Sequence, residues 1–169
     1  MTAREPDLLL VEDNKDDVEL TLRTLHKEKL ANHIHVARDG EEALDFLFCE
    51  GDFAGRSFDR PPKLVLLDLK LPKVDGTEVL KRLKADPRTK TIPVVVMTSS
   101  KEERDLIISY HLGANSYIQK PVDFDQFRDT VKTVGLYWLL INQPPVTNGF
   151  GHTAEPVTAA KDLGGCGVG

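Results

Sequence analysis

The sequence predicts an α/β fold: a parallel sheet of five strands covered by helices on both faces. Three observations predict it. Short apolar runs of strand length alternate five times with longer stretches whose apolar residues recur every three to four positions. Several of the runs carry no polar alternation, which is the pattern of strands buried on both faces. Strands separated by helical crossovers of this length pair in parallel.

The first strand is Leu8-Leu9-Leu10-Val11, which ends abruptly in Glu12-Asp13-Asn14. Asp16 to Lys29 follows as a helix, with Val18, Leu22 and Leu25 at helical spacing. Ile34, Val36 and Ala37 make the second strand, and Glu41 to Glu50 the second helix, carrying Ala43, Leu44, Leu47 and Phe48. Cys49 reads as a small apolar residue on that helix. Gly51 to Pro62, with two Gly and two Pro, reads as an irregular loop. The third strand, Leu64 to Leu67, also runs into a carboxylate, Asp68, and Gly76 to Ala85 is the third helix. Pro93 to Met97 is a β-branched fourth strand, followed by a helix over Lys101 to Leu112. Ser116-Tyr117-Ile118 is a fifth, less apolar strand, and Asp123 to about Ile141 is a long last helix.

Composition narrows the function. At ~100–200 residues per domain, 169 residues make one domain with a short appendage. Lys and Arg number 22 against 27 Asp and Glu, a net charge of −5, which argues against the basic footprint of a nucleic-acid binder. No basic-then-apolar leader opens the chain, and the longest apolar run, Leu136 to Ile141, is far too short to span a membrane. Two cysteines, Cys49 and Cys166, make no disulfide framework, so a reducing cytoplasm is expected. His26, His33, His35, His111 and His152 are scattered and read as surface or edge residues. After Gln143 the chain holds six Gly and three Pro with little periodicity, and 143–169 reads as a disordered tail.

In a parallel α/β sheet, ligands sit beyond the carboxyl ends of the strands, near a topological switch point. That rule gathers Glu12 and Asp13 after strand one, Asp68 after strand three, Thr98 after strand four and Lys120 after strand five. Three carboxylates at one edge repel one another unless a cation intervenes. With few protein oxygens and room for water, Mg²⁺ suits them better than a Ca²⁺ cage, and no Cys or His pair has zinc spacing. A carboxylate beside Mg²⁺ and a Lys can attack a phosphoryl group and form an acyl phosphate. The charge-spread transition state needs the metal, the ammonium and a hydroxyl donor such as Thr98.

These residues resemble the response-regulator receiver domains, the chemotaxis-type fold. The likeness rests on Glu12-Asp13, the segment Asp68-Leu-Lys-Leu-Pro72-Lys-Val-Asp75-Gly76, Thr98-Ser99-Ser100, Tyr117 and Lys120-Pro121, each at its strand end, and covers residues 6–142. It implies a flavodoxin-like, doubly wound sheet of strand order 2-1-3-4-5. It implies that Asp68 accepts the phosphoryl group and that Glu12, Asp13, Asp68 and the backbone carbonyl of Lys70 hold Mg²⁺. Thr98 would be the switch hydroxyl and Tyr117 the aromatic that follows it. Lys120 would be the ion-pairing Lys, with Pro121 joined to it by a cis bond. Lys70 and Ser100 flank the acceptor and are expected to set how readily water reaches the phosphoryl group. The long loop at 51–62 and the extended last helix look similar to stand-alone receivers that work with bacterial phytochromes and related sensor kinases. The expected protein is a cytoplasmic phosphorelay switch, not a turnover enzyme, which takes its phosphoryl group from a sensor histidine kinase and acts through protein contacts.

Blander readings stand beside this one. Asp68 alone could cap a turn, Thr98 could cap a helix, and Tyr117 could be a plain strand aromatic. A receiver-like scaffold that is never phosphorylated is one alternative. An aspartate-nucleophile phosphatase is another, but it would carry Asp-x-Asp after the first strand. In the last helix, Phe124, Phe127, Val131, Val134, Trp138 and Ile141 follow one face and should pack on the sheet. Leu136, Tyr137, Leu139 and Leu140 then lie on other faces, which suggests a homodimer built on this helix. The competing reading is that the loop at 51–62 covers that surface.

Overall fold

A computed structural model describes residues 6–27, 33–109 and 111–135. The five apolar runs become β1 (Leu8–Val11), β2 (Ile34–Ala37), β3 (Leu64–Asp68), β4 (Val94–Thr98) and β5 (Ser116–Gln119). All pair in parallel, in the order β2-β1-β3-β4-β5. Between them lie α1 (Lys15–Lys27), α2 (Gly40–Leu47), α3 (Gly76–Ala85), α4 (Lys101–Ser109) and α5 (Phe124–Val134).

The pleat splits the apolar residues into two cores. Leu9, Val11, Val65, Leu67, Val94 and Val96 face one way, against Leu44, Phe46 and Leu47 of α2 and Val79, Leu80 and Leu83 of α3. Leu8, Leu10, Leu64, Leu66, Val95, Met97 and Ile118 face the other, against Val18 and Leu25 of α1 and Phe127 and Val131 of α5. With both faces covered, β1 and the first four residues of β3 and β4 are apolar throughout, and a polar side chain comes only at the carboxyl end, in Asp68 and Thr98.

Side-chain caps set where the helices begin. Asn14 accepts from the amides of Asp16 and Asp17 at 2.9 and 3.1 Å, so α1 starts at Lys15. Asp39, Asp75 and Asp123 cap α2, α3 and α5 by accepting from Glu42, Thr77 and Gln126. At their other ends, α3 stops at Ala85 as expected, whereas α2, α4 and α5 stop earlier than the apolar periodicity suggests. Helix α2 ends at Leu47, and Cys49, half-exposed with φ of 55°, lies beyond it rather than on it. Helix α4 ends at Ser109, before His111 and Gly113, both at positive φ.

Helix α5 ends at Val134, where Gly135 takes the left-handed conformation (φ 83°) and its amide turns back to the carbonyls of Lys132 and Val131. An uninterrupted helix through Gly135 is therefore not formed. Leu136, Tyr137, Leu139 and Leu140, and the segment 143–169, lie outside the described residues. The loop after α2 opens with a 3₁₀ turn, Gly51–Phe53. Phe53 meets His35 and Phe46 edge-on, and the Arg56 guanidinium lies 3.6 Å from the Phe46 ring centroid. These loop residues thus pack on the α2–α3 side of the sheet, opposite α5.

Candidate functional site

The sheet order makes the site. Strand β1 lies between β2 and β3, so the chain leaves it in opposite directions and a crevice opens at the carboxyl ends of β1 and β3. In register, Val11 lies beside Leu67, Asp68 beside Met97 and Thr98 beside Gln119. Glu12, Asp68, Thr98 and Lys120 therefore emerge on neighbouring strand ends.

The Lys120 ammonium is the centre of the cluster. Its Nζ lies 2.6 Å from Glu12 Oε2, 3.2 Å from Asp68 Oδ2 and 3.2 Å from Asp17 Oδ2. An ammonium has three donors, and three carboxylates surround this one. Burial alone would lower the Lys120 pKa, but the paired acids outweigh it and raise it above the usual lysine range. The Lys120–Pro121 bond is cis. Glu12 is only 1% exposed, and burial, reinforced by the charge of Asp68, pushes its pKa up to about 7 despite Lys120. Asp68 is buried and Asp13 is exposed at the mouth of the crevice.

One carboxylate oxygen each from Glu12, Asp13 and Asp68 lie within 4.8 Å of one another. At that spacing each pair repels by roughly 3 kcal/mol at an effective dielectric of ~20. Once Glu12 is ionised, above pH about 7, a single ammonium does not balance three such charges. The donor set is all oxygen and opens to solvent at Asp13, which fits a hydrated hard divalent cation. The Lys70 amide makes a long 3.5 Å hydrogen bond to Asp68 Oδ1, which sets that peptide beside the Asp68 carboxyl.

Thr98, also buried, is held by the start of α4. Its hydroxyl has two acceptors in reach, Glu103 Oε2 at 2.7 Å and the Ser100 carbonyl at 3.0 Å, the charged one being closer, and it accepts from the Ser100 amide at 3.0 Å. The other oxygen of Glu103 takes the Lys70 ammonium at 3.0 Å. Tyr117, half-buried, lines an open cavity of ~370 Å³ together with Thr98, Ser100, Lys101, Arg104 and Gln126. The Arg104 guanidinium lies 5.7 Å from the Tyr117 ring centroid, and burial raises the phenol pKa. Thr98 and Tyr117 thus border one space, as the sequence suggests.

The segment after Asp68 is clamped by two glycines. A Cβ on Gly76 would lie 2.2 Å from the Asp68 carbonyl oxygen, and one on Gly40 would lie 1.9 Å from that of Val74. Only residues without a side chain let α2 and α3 approach the loop after Asp68 this closely. The Gly76 amide then donates to the Leu69 carbonyl at 2.9 Å.

All of Glu12, Asp13, Asp68, Thr98 and Lys120 converge as the strand-end rule requires. Two participants escape a sequence reading. Asp17 lies in an acidic run that suggests only a solvated helix start, yet it binds Lys120 from 103 positions away. Glu103 has a faint signal, since Ser100-Lys101-Glu102-Glu103 is a capping-box pattern. Its amide does donate to Ser100 Oγ at 3.3 Å, but its carboxylate goes to Thr98 and Lys70 instead of the Ser100 amide.

Comparison with known proteins agrees with this geometry. The response regulator receiver domain profile matches residues 8–132. The probable methanogenesis regulatory protein FilR2 of Methanothrix harundinacea is 44% identical over 147 residues, covering 86% of this chain and 92% of that protein. Response regulator Rcp1 of Synechocystis is 39% identical over 132 residues, covering 78% and 88%. The structure of its Mn²⁺-bound form superposes with a TM-score of 0.64 at 38% identity, covering 83% of this chain and 97% of Rcp1. The bacteriophytochrome response regulator RtBRR superposes with a TM-score of 0.76 at 48% identity, covering 85% and 86%. With the fold, the strand-end acids and these relatives in agreement, the chain belongs to the response regulator receiver domain family.

Proposed function

We propose that Asp68 is the phosphoryl acceptor of this receiver, and that a sensor histidine kinase of the phytochrome-associated class is its donor. The observation that carries the reading is the ammonium of Lys120, 3.2 Å from Asp68 Oδ2 and 2.6 Å from Glu12 Oε2, beside a buried Thr98 hydroxyl. An Asp68 oxygen forms a bond to phosphorus as the bond from phosphorus to the donor histidine nitrogen breaks. Lys120 stays within reach of the incoming charge, and the Thr98 hydroxyl can turn to a phosphoryl oxygen. Mg²⁺ is the proposed metal, held by Glu12, Asp13, Asp68 and the Lys70 carbonyl. When bound, it would offset the charge of the phosphoryl oxygens. Likeness to RtBRR and Rcp1 supports the phytochrome link and the divalent site.

The product is a switch rather than a turnover enzyme: phosphorylation adds charge at Asp68 and biases two conformations that differ around Thr98 and Tyr117. Output passes through protein contacts in the cytoplasm, in keeping with an acidic chain of 22 basic and 27 acidic residues. The density of apolar residues at Leu136, Tyr137, Leu139 and Leu140, rather than their spacing along one helix, supports a homodimer through this part of the chain. A chain ended at Gly135 should then sediment as a monomer, and a dimer mass would refute that contact.

Intact mass after incubation with Mg²⁺ and acetyl phosphate tests the acceptor. One added phosphoryl group is expected, absent in Asp68→Ala and absent without Mg²⁺. A gain that survives in Asp68→Ala would mean that another residue is the acceptor.

A further inference from the structure

One side chain ties the Thr98 hydroxyl, which a phosphoryl group on Asp68 would use, to the Lys70 ammonium. The Glu103 carboxylate accepts from the Thr98 hydroxyl at 2.7 Å through one oxygen, and pairs with the Lys70 ammonium at 3.0 Å through the other. Thr98 has a single proton to donate; the Glu103 carboxylate at 2.7 Å, charged and closer than the Ser100 carbonyl at 3.0 Å, is its stronger acceptor, and the proton cannot serve Glu103 and a phosphoryl oxygen together. Glu103 also lies within the field of Lys120, so its negative charge belongs to the site and not to the distant surface. Burial would raise its pKa, but Thr98 and Lys70 outweigh that and hold it below the usual carboxylate range, so it is ionised at neutral pH.

The local backbone offers Glu103 a second arrangement. Ser100 starts α4, and Glu103 stands three residues on, where a capping-box carboxylate accepts from the amide of the capping residue. That amide instead donates to Thr98 Oγ1 at 3.0 Å. If the Thr98 hydroxyl leaves for a phosphoryl oxygen, the Ser100 amide and the Glu103 carboxylate each lose one partner and are left three residues apart at the same helix start. They can then satisfy each other.

We propose that Glu103, anchored by Lys70, is a positioning residue that keeps Thr98 engaged in the unphosphorylated protein, and that it must release Thr98 for the phosphoryl group to be held. The exchange trades Ser100 N–H···Thr98 and Thr98 O–H···Glu103 for Thr98 O–H···phosphoryl and Ser100 N–H···Glu103. The donor count at the start of α4 is unchanged, but the short bond from Thr98 to the charged Glu103 must break before the second arrangement forms. The tie therefore slows phosphorylation and links Asp68 to the first turn of α4. This inference rests on the reading of Asp68 as acceptor.

The test is the rate of phosphoryl gain from acetyl phosphate with Mg²⁺, followed by intact mass. In that reaction an Asp68 oxygen bonds to phosphorus while the bond from phosphorus to the acetate oxygen breaks. Acetate leaves with that electron pair, and no proton need move. Glu103→Gln keeps the shape and an acceptor oxygen but removes the charge. It should react about fivefold faster, the scale on which charged and neutral acceptors differ. Glu103→Ala, which leaves the Thr98 hydroxyl only the neutral Ser100 carbonyl at 3.0 Å, should gain at least as much. In a Thr98→Ala/Lys70→Ala background, adding Glu103→Gln should change the rate less than twofold.

A rate for Glu103→Gln equal to or below that of the parent, with an unchanged melting temperature, overturns the proposal. So does a fivefold gain that persists in the Thr98→Ala/Lys70→Ala background, because Glu103 would then act by bulk charge alone. If the unsubstituted protein gains no phosphoryl group, the acceptor reading fails and takes this one with it. If the unsubstituted protein reacts, Asp68→Ala does not, and the Glu103 variants match the parent, only the Glu103 proposal falls.

Discussion

Lowering the pH from 8 to 6 should weaken divalent-cation binding about tenfold. The perturbation acts on Glu12, whose carboxyl is 1% exposed and whose pKa is pushed up to about 7 by burial and by Asp68. Above that pH the cation meets a carboxylate; below it, the cation must first displace a proton. For one competing proton, affinity is nearly full at pH 8, half at pH 7, and about one-tenth at pH 6, a change of ~1.4 kcal/mol. Affinity therefore rises with pH through the window around 7 and levels off above it. Calorimetric titration with MgCl₂ in two buffers of different ionisation enthalpy reads both quantities, Kd and proton release. Roughly half a proton should leave per cation bound at pH 7. Glu12→Gln, similar in shape and without a proton to lose, should abolish most of the release. Equal affinities at pH 6 and 8, or unchanged release in Glu12→Gln, would refute the assignment of the raised pKa to a metal-binding Glu12.

Lys120→Met removes the ammonium shared by Glu12, Asp68 and Asp17. It should cost on the order of 3 kcal/mol of folding stability at pH 8, because buried carboxylates lose their counter-charge. The loss should be smaller at pH 6, where a proton on Glu12 does part of the same work, and urea midpoints that fall equally at both pH values would contradict this. Gly76→Ala sets a Cβ 2.2 Å from the Asp68 carbonyl oxygen. It should destabilise by about 1–3 kcal/mol and slow phosphoryl gain, and a variant more stable than the parent would show the close approach to be unimportant. Phe127→Ala empties the centre of the core under α5, where Phe127 is fully buried, and should cost about 3–5 kcal/mol in thermal unfolding. A loss below about 1 kcal/mol would mean that α5 does not depend on that anchor.

Much of this molecule is legible along the chain. Aliphatic runs such as Leu64 to Leu67 announce strands covered on both faces, and the acids that follow β1 and β3 announce the site. Asp75 and Asp123 precede helices that they cap in the structure. The stop at Gly135 is a local signal too, but the apolar spacing that continues through Trp138 and Ile141 masks it. What precedes a strand end or starts a helix depends on neighbours a few residues away, and the sequence alone determines it.

The tertiary structure decided which charges meet and which of them are buried. Asp17 and Lys120 are 103 positions apart, and nothing along the chain distinguishes Asp17 from the exposed Asp16 beside it. Glu103 turns away from its own helix cap to reach Thr98 and Lys70 only because β3 and β4 are adjacent in the sheet. Glu12 and Asp13 are neighbours of like chemistry, yet one is sealed inside with a raised pKa and the other lies in solvent. Successive residues leaving a strand point to opposite sides, and the protonation of a carboxyl follows from the dielectric and the charges around it. Those surroundings exist only once the strands have paired and the helices have closed over them.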